Sequence, residues 1–523
     1  MPAVTKATSA EHFLKNVLWS WLGVLFSIAS SLFLSPFIIH HLGDERYGIW
    51  VLVYSMVEYY GLVDFGFRSA VCKYAAHFRA TGEIRKLEEV VATGLFYFSG
   101  AGVIIVAGSI VLAWQSSRFF PISPQNLPAF RFLIILTGVI EGLGVLANTC
   151  TAVIEAYQRF DITNRIFVTA NAVRVLGSFT VVYFGFGLRT LGACVLFGQL
   201  LGYALTYRAM RRLLPGCSFS FRRATRAMAR HLFGYGRHTF IANISLMVLN
   251  QDAPILIGHF LSAAFAGYYV YSLRLVTYSV ELVGRLGLVT GSKTAELCAH
   301  GDRAGIARMA VLVNRYSLLL FLPVAAYLSI FGRQLLTVWI NPSFASHGAP
   351  LIPILGAGVV IAVAAAYNST SILFGLGLHS SLARAVFVEA IASLVGLIYV
   401  IPRYGLVGAA WVIAGLMILS RGMVVQFAVS RHIGMRFTEY LGSIYRGPLL
   451  VATPVVGLTW LLNHALGAPA TWTVVLGGGA FMAVCYYGIA FFFALDPSHR
   501  RLVLSFCQQR LPFPPKARVT EAG

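Results

Sequence analysis

The sequence is poor in charge. Only 11% of its 523 residues are Asp, Glu, Lys or Arg, and just 19 are acids. Soluble domains carry about 25% charged residues, so an ordinary soluble domain is excluded, and the mean hydropathy of +0.75 points to a membrane protein. The 7 cysteines form no CxxC pair and no His/Cys cluster of metal spacing, so neither a metal site nor a disulfide framework is expected. No P-loop, HExxH or GxSxG motif is present. Residues 1–12 are polar and run directly into an apolar segment, so no cleavable signal is expected.

Hydrophobic runs are what the chain has in abundance. A spanning helix needs about 20 mostly apolar residues. Such runs lie near residues 16–39, 47–67, 90–113, 130–153, 165–185, 190–210, 238–259, 266–289, 309–331, 348–373, 384–401, 405–429, 448–466 and 471–494. The expected fold is therefore an all-α integral membrane protein of fourteen helices. Both termini then share a side, which the distribution of Lys and Arg selects. With the termini in the cytoplasm, 31 of the 40 basic residues face the cytoplasm. External loops hold Arg46, Arg118, Arg131, Arg189, Arg333 and Arg403, and Arg174, Arg274 and Arg315 fall within spans. The net charge of +21 is then a cytoplasmic membrane face rather than a nucleic-acid surface. Its densest part, RRLLPGCSFSFRRATRAMAR (residues 211–230), reads as a linker lying on anionic lipid.

The chain also repeats itself. SPFIIHHL (residues 35–42) resembles APILIGHF (residues 253–260), aligning Pro36 with Pro254 and His41 with His259. Gly48 then aligns with Gly267, Lys73 with Lys293, ATGE (80–83) with AHGD (299–302), and TLGAC (190–194) with LVGAA (406–410). The repeat contains an even number of spans, so both copies enter the membrane in the same direction and form two six-helix lobes. The expected parts are an N-terminal lobe (1–210), a basic linker (211–237), a C-terminal lobe (238–429), two extra helices (430–494) and a basic tail (495–523).

HHLGDERYGIWVLVYS, followed by GLVDFGFRSAVCKYAAHFRATGE, resembles the opening of the polysaccharide repeat-unit flippases (Wzx-like) of the multidrug/oligosaccharidyl-lipid/polysaccharide exporter superfamily. HFLSAAFAGYYVYSLRLV and PRYGLVGAAWV are similar to later segments of that family. The resemblance implies a transporter, not an enzyme, of the bacterial cytoplasmic membrane. It would move an isoprenoid-linked oligosaccharide, carried on undecaprenyl diphosphate, between leaflets by alternating access during polysaccharide or lipopolysaccharide synthesis. The implied partners are the lipid-linked glycan, membrane lipids and glycan polymerase or export machinery. No cofactor is implied, and coupling to H+ or Na+ stays open. The rivals are a multidrug cation antiporter of the same superfamily and a membrane glycan polymerase or ligase.

A charge placed centrally in a span costs about 2.5–3.5 kcal/mol on insertion scales, so it normally faces a cavity or a partner. Arg174 stands mid-span in NAVRVLGSF, and Arg274 is the next deepest. Arginine offers a bidentate fork to phosphate, so both are candidate substrate-binding residues. Asp64 with Arg68, and Glu281 with Arg285, are acid–base pairs at i,i+4, one in each lobe, expected to pair on one helix face. Arg68 and Arg285 join the substrate-binding candidates, and Asp64, Glu281, Asp252 and Glu58 are candidates for gating or ion coupling. Glu58, Glu141 and Asp252 are alternative ion-pair partners for Arg174. Pro36 and Pro254 are candidate hinges. Tyr47, Trp50, Tyr54, Tyr59, Tyr60, Tyr268, Tyr269 and Tyr271 serve either as interface aromatics or as sugar contacts. His40, His41, Asp44 and Glu45 read as a polar helix end rather than metal ligands.

Overall fold

The computed structural model describes residues 28–215 and 221–510. Every regular element among them is helical. In the first half of the chain these are α1 (Ile28–Leu42), α2 (Asp44–Glu58), a 3-10 turn (Tyr59–Asp64), α3 (Phe67–Ala80), α4 (Ile84–Phe119), α5 (Leu127–Ala156), α6 (Phe160–Tyr183) and α7 (Leu188–Leu213). The second half opens with α8 (Arg226–Phe260), α9 (Ala263–Ala299) and α10 (Arg303–Trp339). It continues with α11 (Pro342–Gly348), α12 (Leu351–Gly356), a π segment (Ala357–Ala364) and α13 (Ala365–Gly375). Then come α14 (His379–Met417), a second π segment (Ile418–Val425), α15 (Gln426–Ile433), α16 (Phe437–Ala465), α17 (Trp472–Phe493) and α18 (Pro497–Arg510).

Among the described residues, 8 helices are long and apolar enough to cross a bilayer, or 9 if the pair α11–α12, bent by 46°, is one span. Polar turns set the boundaries. Gly43, Gly82, Gly185 and Gly301 take positive φ between consecutive helices, where a side chain would be strained. Gly405 (φ 59°) breaks α14 just after Pro402, dividing two apolar stretches.

Two points differ from the expected helices. The second expected span (47–67) does not run straight through, because Phe65 (φ 47°) and Gly66 (φ 73°) are both left-handed and end the 3-10 turn. Asp64 and Arg68 therefore do not share one helix face. Asp64 Oδ1 instead accepts the Arg68 backbone N–H at 3.0 Å, satisfying one donor that the start of α3 leaves over. The basic stretch 211–230 is also shorter as a link than expected, since α7 runs to Leu213 and α8 starts at Arg226. That link is fastened to the first half: Arg223 pairs with Glu88 of α4, and Thr225 donates to Glu89.

The two halves pack tightly where α2 and α9 begin. A Cβ on Gly48 would lie 1.9 Å from the Ala263 carbonyl oxygen, so only glycine allows this approach. Asp44 accepts from Tyr268 Oη at 2.7 Å and from Asn341 Nδ2 at 3.0 Å, both in the second half. His259 Nδ1 lies 2.5 Å from the Phe119 carbonyl, and His40 Nδ1 lies 3.4 Å from the Ile340 carbonyl. Each half thus sends one histidine to a helix end of the other. Toward the other end of the bundle, the first turns of α8 pack on the first half, with His231 4.6 Å from the Tyr74 ring. Within the second half, Asn314 of α10 donates to Ser369 of α13 (2.8 Å) and to Tyr440 of α16 (3.0 Å), tying α16 to the bundle.

Candidate functional site

A cavity of about 640 Å³ lies between the halves. Its walls come from α1, α2, α6 and α7 on one side and α8 and α9 on the other. Arg174 of α6 and Arg274 of α9 both line it, so two cations from distant parts of the chain face one space. Gly198 of α7 makes room behind Arg174: a Cβ there would stand 3.1 Å from the Arg174 Cβ.

Neither guanidinium is neutralised. Arg174 donates from Nη2 to Oδ1 of Asn171, one turn earlier, and forms no ion pair with any described residue. Arg274 Nη1 reaches across the halves to Ser31 Oγ at 3.3 Å, which also accepts from Tyr278 Oη at 2.5 Å. Neutral partners orient each arginine while leaving its charge for something else in the cavity. Glu58 also lines this space and is its carboxylate among the lining residues.

The other charged candidates are placed elsewhere. Arg68 Nη2 pairs with Glu155 of α5 at 2.6 Å, outside the cavity wall. Asp252 is 1% exposed and turned into its own half, where Ser393 of α14 donates to Oδ2 at 2.5 Å. The side chains of Glu281 and Arg285 lie outside the described residues. Arg315 pairs with Asp496 at 2.7 Å, beyond the end of α17. Pro254 lines the cavity inside α8, whereas Pro36 is buried within α1. Of the aromatics, Tyr47, Trp50 and Tyr54 line the space, while Tyr268, Tyr269 and Tyr271 are buried in the packing between helices.

Sequence reasoning missed the pair Arg421–Glu389 (3.5 Å), which joins the second π segment to α14. It also missed Asn171, Asn250 and Gln251, whose amides face the cavity wall. A polar residue next to a deep arginine, as in NAVR, was the available signal for Asn171.

Residues 42–346 match the polysaccharide biosynthesis protein family. The chain belongs to that family. Among its relatives is the membrane protein EpsK of Bacillus subtilis (strain 168), 24% identical over 92% of this chain and 95% of that protein. A putative O-antigen transporter of Shigella flexneri is 21% identical over 76% of this chain and 93% of its own length. The fold is similar to that of the lipid II flippase MurJ in its inward closed conformation. There the TM-score is 0.70 and the identity 14%, over 93% of this chain and all (100%) of that one. An inward-facing multidrug resistance MATE family transporter of the MOP superfamily gives a TM-score of 0.65 at 10% identity, covering 77% of this chain and 95% of that chain. The Wzx-like resemblance of the sequence and this family membership agree, and the fold is similar to those of a flippase and a multidrug transporter.

Proposed function

We propose that this member of the family is a flippase that moves an isoprenoid-linked oligosaccharide, carried on a diphosphate, across the bacterial cytoplasmic membrane by alternating access. The observation that carries the reading is that Arg174 and Arg274, one from each half, face a single cavity with only neutral partners. A diphosphate needs cationic donors at this depth, and arginine supplies two parallel N–H groups to phosphate oxygens. A multidrug cation antiporter would instead call for a carboxylate-rich cavity, and Glu58 faces two guanidiniums here.

In this reading the chain has fourteen spans, arranged as two six-helix lobes with α16 and α17 outside the repeat. The termini and the basic link lie in the cytoplasm, and the Asp44 end faces outward. The reading draws support from the tight meeting of Gly48 and Gly267, which the sequence repeat aligns, and from the basic link beside α4. Glu58 and Asp252 are the proposed sites of coupling to H+ or Na+, and Pro254 with Pro36 the proposed hinges. Glycan polymerase or export machinery are the proposed partners.

The test is translocation of lipid-linked glycan in cells that depend on this chain. Arg174→Lys keeps the charge but loses the fork, so transport should fall at matched membrane levels. Arg174→Ala should fall further. Full transport by a well-folded Arg174→Ala protein would overturn the role of this arginine.

A further inference from the structure

Two other sets of side chains in the cavity are chemically unlike the arginines. On the first half, Trp50 and Tyr54 of α2 stand one turn apart with ring centroids 4.7 Å from each other, and both line the space. On the second half, Asn250 and Gln251 of α8 line the same space, and neither amide has a partner among the described residues. Each amide presents two N–H donors and a carbonyl acceptor. Asn250 is exposed and Gln251 half-buried, so water can satisfy both amides until a ligand takes its place. Such groups suit a neutral, hydroxyl-rich molecule, since a ring hydroxyl both donates and accepts. The electron-rich face of an indole or phenol attracts the polarised C–H groups on one side of a sugar ring.

We propose that Trp50 and Tyr54 form a platform for the sugar ring next to the diphosphate, with Asn250 and Gln251 reading its hydroxyl or acetamido groups from the opposite half. This deepens the flippase reading and rests on it. The arginines hold the lipid diphosphate common to many substrates, and the platform with its amides adds the recognition of a sugar. The platform belongs to the first half and the amides to the second, so the ring is gripped only while the halves enclose it.

The experiment measures binding of two lipids to the purified full-length protein in lipid nanodiscs. One is undecaprenyl diphosphate, and the other is the same lipid carrying one N-acetylhexosamine. The wild-type protein should bind the glycosylated lipid more tightly. Trp50→Leu should weaken that lipid roughly three- to tenfold, the scale of one aromatic contact, and leave the bare diphosphate unchanged. Trp50→Phe should restore most of the loss. Arg174→Lys should weaken both lipids alike. If Trp50→Leu is recovered unfolded, Gln251→Leu makes the same comparison from the opposite half.

Equal losses for both lipids, or no loss for either, would overturn the platform. Equal affinity of the wild-type protein for the two lipids would do the same. A selective loss with Trp50→Leu, together with no effect of Arg174→Lys on the bare lipid, would keep the platform and overturn the arginine reading. If the wild-type protein binds neither lipid, both readings fall.

Discussion

Gly48 and Gly267, which the sequence repeat sets in matching positions, touch each other in the folded chain. A Cβ on Gly267 would stand 3.3 Å from the Gly48 Cα, and one on Gly48 would overlap the backbone of Ala263. This contact brings α2 and α9 together at one end of the cavity, beside the bonds that Asp44 makes to the second half.

Substitution of Gly48 should therefore push the halves apart at this end. Gly48→Val inserts a branched side chain against backbone that has no space for it, an overpacking cost of about 1–3 kcal/mol. A cysteine placed at Ser31 on the cavity wall should then react faster with a membrane-impermeant maleimide added from outside. Gly267→Ala should have a milder effect, because its nearest contacts are 3.1–3.3 Å away. Unchanged labelling with Gly48→Val would mean that this contact does not control access.

Asp44 offers a reversible lock. Its carboxylate accepts from Tyr268 and Asn341 together, so cysteines at Asp44 and Asn341 should be bridged through two disulfides by a short bis-thiosulfonate. Transport should stop on cross-linking and resume on reduction. Continued transport by the cross-linked protein would show that the Asp44 end need not open.

The pair Glu389–Arg421 should behave as a buried ion pair. The Glu389 side chain is only 2% exposed. Arg421→Met alone leaves a carboxylate without its cation and should lower stability by about 3–5 kcal/mol. The double variant Glu389→Gln with Arg421→Met should recover much of that loss. Thermal unfolding in detergent reads both, and equal destabilisation by the single and double variants would argue against the pairing.

Sidedness is open to a direct check. A cysteine at Gln125 should react with an impermeant reagent from outside the cell, and one at Arg222 only after permeabilisation. The reverse pattern would invert the direction assigned to transport.

Much of the helical plan was legible because a bilayer demands long apolar runs, and these stand out in any window of about 20 residues. Arg174 and Arg274 stood out on the same ground, since a charge in such a run is rare, and both line the cavity. The relation between Asp64 and Arg68 was not. Their spacing suits an unbroken helix, but two left-handed residues lie between them, and only Gly66 hinted at the break. The cavity amides were invisible for another reason. Asn250 and Gln251 are ordinary polar residues in α8, and what makes them a site is the space opposite them, formed by helices from the other half. Glu389 and Arg421 meet through the folding of α14 onto the π segment, a contact no short-range period encodes.

The two histidine contacts between the halves carry an energetic consequence. Phe119 is the last residue of α4 and Ile340 follows the last residue of α10, so each carbonyl is one that a helix leaves without an internal donor. When the halves separate, water can supply the donor that His259 or His40 withdraws. The net worth of each exchange is then about 0.5–1.5 kcal/mol, far below the strength of the bond itself. These contacts fix the angle and register at which the halves meet without holding them shut. In the alternating-access reading, the balance between sealed and parted forms would then rest on the fit of α2 against α9, where Gly48 leaves no room for a Cβ.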